Sequence, residues 1–579
     1  MLSDIKLNKV LEIVSIQDMV LQSARAFGPS LALQDLRETP IPRLTYYEMF
    51  LQIRKFGTAL RELGIPERAH VAVLAENRVQ WALSYLTCMC FNYVACPVDR
   101  NLPINDILNI LHESDSVAVI YSDAFEPILE ERRLSMKNLR WYINMDLPEH
   151  RGKTNSMLEL ITRSAGCSAS DLPVIKPEEI AEIIFTSGSL GRAKGVMLSQ
   201  KNLASNLMAM VSAVLISHTD RFLSILPMHH SYECTCGMLC PLYCGGSVYY
   251  ARSLKTVVED LQASRATILL GVPLLYDKMF KRISKSIQER KIASRLIKPM
   301  IKATDLLTAV GWKGSKKLVF KEIHERFGGA IRIFIAGGAA PDPVVAKGLR
   351  EFGFNFIQGY GLTETSPIVA LNALQAFKDD AAGIVLPGLS VKIEQPNSDG
   401  VGEIWVKGPS VMLGYYKNDA ATQEAFSDGW FKTGDLGVVD ADGFLHIAGR
   451  LKNVIISKRG ENVYPEEIED LLKRSPFIQE CMVYGEQDPK LGEVIAAQIL
   501  PDAEAFIELS ETQGIQITEQ WMREVIGAAV ATVNKQMASF KQIRKFYLRD
   551  QEFDRTTTQK VKRYLVSTAP VPVAPANGS

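Results

Sequence analysis

A loop rich in glycine and hydroxyl groups follows an apolar run in the first third of the chain. It reads FTSGSLGRAKG over residues 185–195. Glycines allow close backbone approach, hydroxyls donate hydrogen bonds and a lysine brings positive charge, so the loop suits a phosphate group. It is not a Walker loop, because the glycine spacing differs and Lys194 is followed by Gly195 rather than by Ser or Thr. A plain surface turn is the alternative interpretation of this loop alone.

Further motifs support the phosphate interpretation. They are IAGGAAP (335–341), QGYGLTETSP (358–367), GWFKTGDLG (429–437), GRLKNVIISKRGENVYPEEIE (449–469) and TTTQKVKR (556–563). With the first loop, these motifs have the order and approximate spacing of the adenylate-forming superfamily, which includes acyl-CoA synthetases, nonribosomal peptide adenylation domains and firefly luciferase. The chain resembles this superfamily over nearly its whole length. GYGLTETSP and GVMLSQKNL most resemble long-chain fatty acyl-CoA synthetases.

The resemblance implies a reaction with ATP, Mg²⁺ and coenzyme A. A fatty acid of medium to long chain attacks ATP to give an acyl-AMP and pyrophosphate, and a thiol then displaces AMP. One alternative is a ligase that loads the acyl group onto an acyl carrier protein. Another is a relative that binds nucleotide without catalysis, suggested by Leu190, which stands where the family loop usually has a hydroxyl.

The resemblance also assigns residues to the reacting groups. Lys560 matches the lysine that neutralises charge at the α-phosphate during adenylation. Glu364 matches the Mg²⁺ ligand, and Thr363 would donate to the α-phosphate. His230 matches the histidine that closes the space between acyl pocket and adenylate, although His229 is its immediate neighbour.

Nucleotide binding is implied for a larger set of residues. They are Thr186, Ser187, Gly188, Ser189, Lys194, Gly337, Gly338, Ala339, Tyr360, Gly361, Thr363, Asp435, Arg450 and Lys560. Within this set Tyr360 would stack on adenine, opposite residues 337–339. Asp435 and Arg450 would hold the ribose.

A change of domain orientation is implied at Lys452, which matches the family's hinge position. The small C-terminal domain is expected to swing about it, first presenting Lys560 to ATP and then the face around Gly460, beside which the thiol enters. The thiol acceptor is open, because the 9 Lys/Arg and 3 Asp/Glu of residues 535–563 suit either coenzyme A or an acidic carrier protein.

An alkyl tunnel is predicted from small and apolar residues. Gly361 stands where acetyl-type enzymes of the family carry a tryptophan, which indicates an open pocket floor. The stretches CTCGMLCPLYCGG (234–246) and GVPLLY (271–276) would line the tunnel, although core packing is the alternative for any single residue.

The elements that must position these residues follow an α/β pattern. Short β-rich runs at 70–76, 117–122, 182–187 and 266–273 alternate with amphipathic stretches, which predicts mostly parallel sheets covered by helices. From about residue 383 short alternating strands with Gly and Asp turns predict a β subdomain. A small, mobile α+β domain is expected to complete the chain.

The predicted domains are residues 1–449, the AMP-binding domain, and 450–567, a lid domain with the catalytic lysine. Residues 568–579 read as a disordered tail or linker. Residues 281–326 form a basic insertion with 13 Lys/Arg and 4 Asp/Glu, and apolar residues recur at helical spacing. This insertion suits peripheral contact with an anionic membrane, and a merely solvated helical face is the alternative.

Composition restricts the class of protein. With 579 residues, 47% hydrophobic and 22% charged, the chain is expected to be globular with more than one domain, and 65 Lys/Arg against 65 Asp/Glu give no reason to expect nucleic acid as a partner. The N-terminal sequence has no apolar export signal, so we expect a cytoplasmic protein, with a peripheral position at the inner face of the membrane as the alternative. The clustered cysteines 234, 236, 240 and 244 lack a CxxC pair, and buried thiols are favoured over a metal site.

Overall fold

The computed structural model of the chain describes residues 7–186, 193–289, 291–312, 314–456, 461–488, 492–555 and 561–563. Its helices are α1 (Ile16–Phe27), α2 (Tyr46–Glu62), α3 (Val79–Cys90), α4 (Ile104–Glu113), α5 (Glu126–Arg132), α6 (Met157–Arg163), α7 (Gln200–Ala213), α8 (Cys240–Tyr243), α9 (Val257–Ser264), α10 (Pro273–Gln288), α11 (Lys291–Ala309), α12 (Ser315–Val319), α13 (Lys321–Arg326), α14 (Pro343–Glu351), α15 (Asp419–Ala425), α16 (Pro465–Leu472), α17 (Ala503–Gln513) and α18 (Glu519–Asn534). A π-helix spans Tyr232–Leu239 and leads directly into α8.

The strands alternate with these helices through the first half of the chain. They are β1 (Leu31–Asp35), β2 (Arg43–Thr45), β3 (His70–Leu74), β4 (Val94–Pro97), β5 (Ala118–Tyr121), β6 (Trp141–Asn144), β7 (Thr154–Ser156), β8 (Ile180–Thr186), β9 (Lys194–Ser199), β10 (Arg221–Ser224), β11 (Ser247–Tyr250), β12 (Ile268–Gly271), β13 (Ile333–Ala336), β14 (Asn355–Gly361), β15 (Ile368–Leu371), β16 (Gly383–Val385), β17 (Ser390–Glu394), β18 (Gly402–Lys407), β19 (Gly414–Tyr415), β20 (Phe426–Ser427), β21 (Trp430–Val439), β22 (Phe444–Arg450), β23 (Ile455–Ile456), β24 (Asn462–Val463), β25 (Ile478–Asp488), β26 (Gly492–Pro501) and β27 (Lys545–Leu548).

The chain divides into two compact units. The first comprises Met1–Lys392, Trp405–Lys432 and Val439–His446, and the second comprises Ile393–Ile404, Thr433–Val438 and Ile447–Ser579. The predicted α/β class, with a large N-terminal sheet domain and a smaller C-terminal domain, is confirmed. The domain limits inferred from the sequence stay a prediction.

The first unit is built on sheets whose central strands are parallel. In one sheet, β14, β13, β12, β10, β11 and β1 follow one another in parallel, and β15 and β16 extend it in antiparallel direction beyond β14. The other has the order β19-β9-β8-β4-β3-β5-β6-β7 and is parallel from β8 to β7. Several inner strands, such as β5 and β12, are buried along their whole length, as expected for sheets covered on both faces.

Helix starts in this unit are fixed by side-chain caps. Thr45 and Glu48 form a reciprocal capping box at the start of α2. Ser199, the last residue of β9, accepts a hydrogen bond from the amide of Asn202 and so begins α7 directly after the strand. Strand β9 directly follows the glycine-rich loop. Its tight junction with α7 holds it against the largest hydrophobic core of the unit.

The second unit contains a separate α+β core. Its strands β25 and β26 pair antiparallel, and β27 pairs parallel with β26. Helices α16 and α18 pack on these strands through buried residues that include Ile468, Ile526 and Val530.

Candidate active site

The glycine-rich loop connects two paired strands. Thr186 at the end of β8 lies opposite Lys194 at the start of β9, and the Thr186 hydroxyl is 3.4 Å from the Lys194 carbonyl oxygen, to which it donates. The hairpin therefore holds both residues at the base of the loop. Ser187, Gly188 and Ser189 lie outside the described residues.

A tyrosine joins this hairpin to the predicted metal ligand. The Lys194 ammonium lies 4.8 Å from the centre of the Tyr415 ring, and the Tyr415 hydroxyl donates to a Glu364 carboxylate oxygen at 2.9 Å. Strand β19, which carries Tyr415, pairs with β9 at Val196. Lys194 and Glu364, 170 positions apart in the sequence, are thus brought to one place.

Tyr415 was not identified by sequence reasoning. It stands in LGYYKN, between the charged motifs, and nothing in its type distinguishes it from a core aromatic residue. The one available signal is the aromatic pair Tyr415–Tyr416 directly after a glycine at a strand edge. That signal alone does not indicate a contact with Glu364.

The residues around Glu364 suit a hard cation. Among the described residues no group of three or more His, Cys, Asp or Glu side chains could hold a metal by itself. Mg²⁺ commonly takes one or two carboxylates, with the remaining ligands from water and substrate phosphates. A single carboxylate oriented by a tyrosine hydroxyl fits that requirement.

Thr363 and Glu364 lie in a 3₁₀ turn that follows β14. The Thr363 hydroxyl is 3.2 Å from the Ser231 hydroxyl, and both residues are buried. His230 precedes Ser231, and its Nδ1 accepts from the Tyr232 amide at 3.3 Å. The histidine segment is therefore held beside the LTET turn by a direct side-chain contact.

The two adjacent histidines have different surroundings. His229 Nε2 lies 3.4 Å from an Asp99 carboxylate oxygen, in a place where both side chains are largely buried. This contact ties His229 to the loop after β4, whereas the neighbouring His230 adjoins Ser231 and so the LTET turn. His229 is thus paired with Asp99, and the assignment of the family histidine to His230 stays a prediction.

The residues expected to flank adenine lie at the carboxyl ends of two adjacent parallel strands. Residues 337–339 follow β13, Tyr360 lies near the end of β14, and the two strands pair in register with Ala336 opposite Gln358. A Cβ on Gly337 would lie 2.6 Å from the Tyr232 ring, so only glycine fits at this position. Ligands of open α/β sheets bind at this carboxyl edge of the strands.

Gly361 lies where the backbone leaves no room for a side chain. A Cβ at this position would lie 1.8 Å from the Pro367 carbonyl oxygen. A side chain would therefore collide with backbone at the β14–β15 connection. Gly359 lines the apolar cavity, and the expectation that Gly361 opens the pocket floor stays a prediction.

A small apolar cavity adjoins the site. It has a volume of ≈ 40 Å³ and is lined by Met210, Val214, Ile216, Phe222, Tyr232, Cys236, Cys240, Ile335, Ala336, Gly359, Ile368 and Leu371. The stretch 234–246 contributes to it as expected, whereas the residues that line it include none from 271–276. Three of its residues, Tyr232, Ala336 and Gly359, are sequence neighbours of Ser231, Gly337 and Tyr360.

Two buried carboxyl groups lie near this region. Burial raises the pKa of Glu182 to about 7, although the Tyr85 hydroxyl donates to it at 2.8 Å. Burial raises the pKa of Glu233, in the π-helix, to about 8, and the Ser224 hydroxyl only partly opposes this. Sequence reasoning singled out neither residue.

The clustered cysteines are free thiols. Cys234, Cys236 and Cys240 are buried, and Cys244 is partly buried. Burial raises the pKa values of Cys234 and Cys236 above the ordinary thiol range. They serve as small apolar groups, and two of them line the cavity.

The second unit contains the predicted ribose-binding pair. The Arg450 Nε lies 2.7 Å from an Asp435 carboxylate oxygen, and Asp435 is the more buried partner. Glu403 accepts from the Gly434 amide at 3.1 Å and so holds the backbone of β21 next to Asp435. Lys452 lies in the 3₁₀ turn Leu451–Asn453.

Lys560 and Gly460 lie outside the described residues. The chain on either side of 556–560 is well anchored. Arg555 contacts Glu480 at 2.5 Å, and Arg563 makes two 2.7 Å contacts with Glu469. An isolated antiparallel bridge joins Arg555 to Val561.

Comparison with family models decides the family. The model of the AMP-binding enzyme matches residues 22–416, and the model of the AMP-binding enzyme C-terminal domain matches residues 467–560. The chain belongs to the AMP-binding enzyme family. The superfamily resemblance found in the motifs is therefore confirmed.

Curated relatives of this AMP-binding enzyme include two kinds of ligase. It is 29% identical over 563 residues to the long-chain-fatty-acid–CoA ligase FadD15 of Mycobacterium tuberculosis, covering 90% of each chain. It is 29% identical over 559 residues to the chloroplastic long-chain-fatty-acid–[acyl-carrier-protein] ligase AEE15 of Arabidopsis thaliana, covering 83% of this chain and 76% of the relative.

Solved structures share the fold of this AMP-binding enzyme. The anthranilate CoA ligase AuaEII in complex with anthranoyl-AMP has a TM-score of 0.76 at 19% identity and covers 97% of this chain and 98% of that chain. ATP-bound MatB from Rhodopseudomonas palustris has a TM-score of 0.73 at 24% identity and covers 94% of this chain and 97% of that chain. At these identities the likeness shows that the chain shares the fold of these structures.

Proposed function

We propose that this AMP-binding enzyme activates a fatty acid of medium to long chain as its acyl-AMP and transfers the acyl group to coenzyme A. The observation that carries the proposal is the position of the apolar cavity. Its residues Tyr232, Ala336 and Gly359 directly adjoin the polar segments that contain Ser231, Gly337 and Tyr360. An acid bound here would have its alkyl chain among apolar side chains and its carboxylate toward the predicted phosphate-binding residues.

The cavity must widen to take a long chain. Its volume of ≈ 40 Å³ is well below the roughly 300–1,000 Å³ of typical ligand pockets. The wall includes Met210, whose unbranched thioether side chain adapts its shape readily, and also the side chain of Leu371. Their displacement would extend the cavity without breaking the strands around it.

The reaction has two group transfers. First, a carboxylate oxygen of the acid bonds to the α-phosphorus of ATP and pyrophosphate leaves with the electron pair of the broken P–O bond. Second, the thiol sulfur bonds to the acyl carbon, AMP leaves, and the thiol proton passes to solvent. The first step concentrates negative charge, so cations and donors aimed at the phosphates lower its barrier.

Residues of the first unit supply several of these groups. Lys194 would bind phosphate oxygens from the base of the glycine-rich loop, and Thr363 would donate to the α-phosphate. Glu364 would hold Mg²⁺, which when bound neutralises phosphate charge. The Tyr415 hydroxyl orients the Glu364 carboxylate for this task.

Residues assigned by resemblance complete the proposal. Lys560 would neutralise the charge that develops as the carboxylate attacks, and Asp435 with Arg450 would bind the ribose. The 2.7 Å pairing of Arg450 with Asp435 supports this, because it fixes the carboxylate that must accept from the ribose hydroxyls. Lys452 as hinge and Gly460 as thiol-side residue belong to the same proposal.

A carrier protein is the second candidate acceptor. The basic excess of residues 535–563 suits an acidic protein surface, and one relative is a fatty acid–carrier-protein ligase. The chemistry up to the acyl-AMP is the same in both cases. Only the partner in the second transfer differs.

The test is a product assay with both acceptors. The purified chain is incubated with ATP, Mg²⁺ and fatty acids of graded length, with either coenzyme A or a phosphopantetheinylated carrier protein, and AMP and thioester are measured. We expect AMP and acyl-CoA from medium to long acids, and a fall of at least about 100-fold in Glu364→Gln but not in the exposed control Glu131→Gln. Thioester on the carrier protein alone would establish the second candidate, and no AMP with any acid would contradict both.

A further inference from the structure

The inference concerns the outer surface of the basic insertion. Helix α11 packs on the first unit through one face, where Ile297, Met300 and Ile301 adjoin the hydrophobic core and Thr304 is buried. A globular protein normally presents charged and polar residues on the opposite face of such a helix. The opposite face of α11 departs from this rule.

An apolar stripe runs along that outward face. Leu296, Pro299, Ala303, Leu306 and Val310 are exposed and recur at intervals of three and four residues, which places them in one line on or directly after the helix. Leu306 is 67% exposed and Val310 is 73% exposed. Single exposed apolar residues are ordinary, but a continuous stripe of them marks a binding surface.

Further large apolar side chains follow at the end of the helix. Trp312 is 52% exposed, and in α12 Leu318 is 62% exposed. Tryptophan is favoured at the boundary between headgroups and hydrocarbon, where its ring is buried and its N–H group stays near water. We call the stripe together with Trp312 and Leu318 the outer apolar surface.

Cations flank this surface. Arg295, Lys298 and Lys302 are exposed and lie along one side of the stripe on α11. The acidic side chain on the same helix, Asp305, is paired with Lys316 at 2.7 Å. The surface therefore combines exposed apolar groups with a net positive border.

We infer that the outer apolar surface docks this protein on an anionic lipid bilayer. Apolar side chains would enter the headgroup–acyl boundary while the flanking cations contact acidic headgroups, which is the physical basis of interfacial helix binding. An acidic protein would satisfy the cations but not the exposed stripe, and a second copy of this chain would oppose like charges. Among the described residues no helix has the length and apolar character to cross a bilayer.

Vesicle flotation tests the inference on the full chain. Vesicles of phosphatidylcholine are compared with vesicles of equal parts phosphatidylcholine and phosphatidylglycerol, at low and at raised salt. We expect binding to the anionic vesicles, weakened by salt because screening reduces headgroup attraction. No binding of the wild-type chain to either vesicle would overturn the inference.

Two double variants separate the components of the surface. Leu306→Glu with Val310→Glu should abolish binding, and Lys298→Glu with Lys302→Glu should weaken it by at least about tenfold on anionic vesicles. The matched control is Leu134→Glu with Val174→Glu, which changes apolar residues of the same types that are even more exposed elsewhere in the first unit, and it should bind like the wild type. Circular dichroism at increasing temperature confirms that each variant is folded.

Other occupants give distinct results that also overturn the inference. If Leu306→Glu with Val310→Glu binds vesicles normally but converts a dimer to a monomer in sedimentation, the surface belongs to a second copy. If it binds vesicles normally but loses affinity for an acidic carrier protein, the surface belongs to that partner. Vesicle binding does not require catalysis, so its result is independent of the proposed function.

Discussion

At the scale of single residues, Tyr415 contacts both Lys194 and Glu364, which belong to two separate sequence motifs. Its hydroxyl donates to Glu364 and its ring lies under the Lys194 ammonium. A carboxylate that must hold a cation gains from a donor that fixes its orientation. Tyr415 is thus a positioning residue in this account.

Replacement of Tyr415 by Phe should lower kcat/KM for adenylation by about tenfold, with most of the change in KM for MgATP. A hydrogen bond to a charged group contributes about 1.5–3 kcal/mol, and removal of the hydroxyl leaves the ring in place. Tyr416→Phe is the matched control, because its hydroxyl donates to Asp115 instead. Equal kinetics in the two variants would contradict the positioning role.

Glu233 is a carboxyl group buried in the π-helix. It is 1% exposed, and the one hydroxyl near enough to oppose its pKa shift, that of Ser224, does not reach hydrogen-bond distance and angle to either carboxyl oxygen. Gly237 makes room for it, since a Cβ there would lie 2.6 Å from the Glu233 carboxyl carbon. Burial favours the neutral form and raises the pKa from 4.5 to about 8.

This shift makes the free energy of unfolding depend on pH. Between 4.5 and about 8 the folded state binds a proton that the unfolded state has released, so stability falls as pH rises through this window and is constant above it. Glu233→Gln should remove that fall, while Glu131→Gln on the surface should not. Thermal unfolding across this pH range measures it, and a difference between wild type and Glu233→Gln that does not change with pH would contradict the assignment.

At the scale of elements, the β14–turn–β15 unit presents two of the four predicted catalytic residues, Thr363 and Glu364. The pairing of β14 with β15 shifts register between Tyr360 and Gly361. At Gly361 the chain passes so close to the Pro367 carbonyl that no side chain fits. The LTET turn is therefore held by backbone contact on one side and by the Ser231 hydroxyl on the other.

Gly361→Ala should destabilise the protein by about 1–3 kcal/mol or more and reduce adenylation of acids of every length, because backbone must move to admit the methyl group. Gly359→Ala is the matched change two residues away, where the new Cβ would meet the Leu371 side chain at 3.0 Å. It should stay folded and mainly reduce activity with the longest acids. A Gly361→Ala protein as stable as Gly359→Ala would refute the backbone explanation.

Local sequence predicted the elements better than their arrangement. The runs beginning near 70, 117, 182 and 266 are strands β3, β5, β8 and β12, because buried parallel strands are continuous apolar segments. Pairings such as Leu33 with Val248 are non-local and leave no local signal. For the same reason the sequence does not reveal the contact of Tyr415 with Glu364. It also does not reveal that the Pro367 carbonyl leaves no room for a side chain at Gly361.

At the scale of the whole molecule, the predicted site residues are distributed over two compact units. Thr186, Lys194, His230, Tyr360 and Glu364 belong to the first, and Asp435, Arg450 and Lys452 to the second. The limits predicted from the sequence, 1–449 and 450–567, assign Asp435 to the first domain, whereas the compact unit that contains it is the second. The roles of these residues come from the family resemblance, because no local pattern supplies them. The stretch with Lys560 is bordered by Arg555 and Arg563, whose contacts with Glu480 and Glu469 lie within the second unit.

The central claim is that this chain forms a fatty acyl-AMP through Lys560, and ATP–pyrophosphate exchange measures that step without any thiol acceptor. We predict exchange that is strongest with aliphatic acids of medium to long chain. Lys560→Ala should reduce it by at least about 100-fold, because the charge that offsets the developing negative charge is removed, while the neighbouring Lys562→Ala should retain it. Exchange at the wild-type rate in Lys560→Ala would contradict the account.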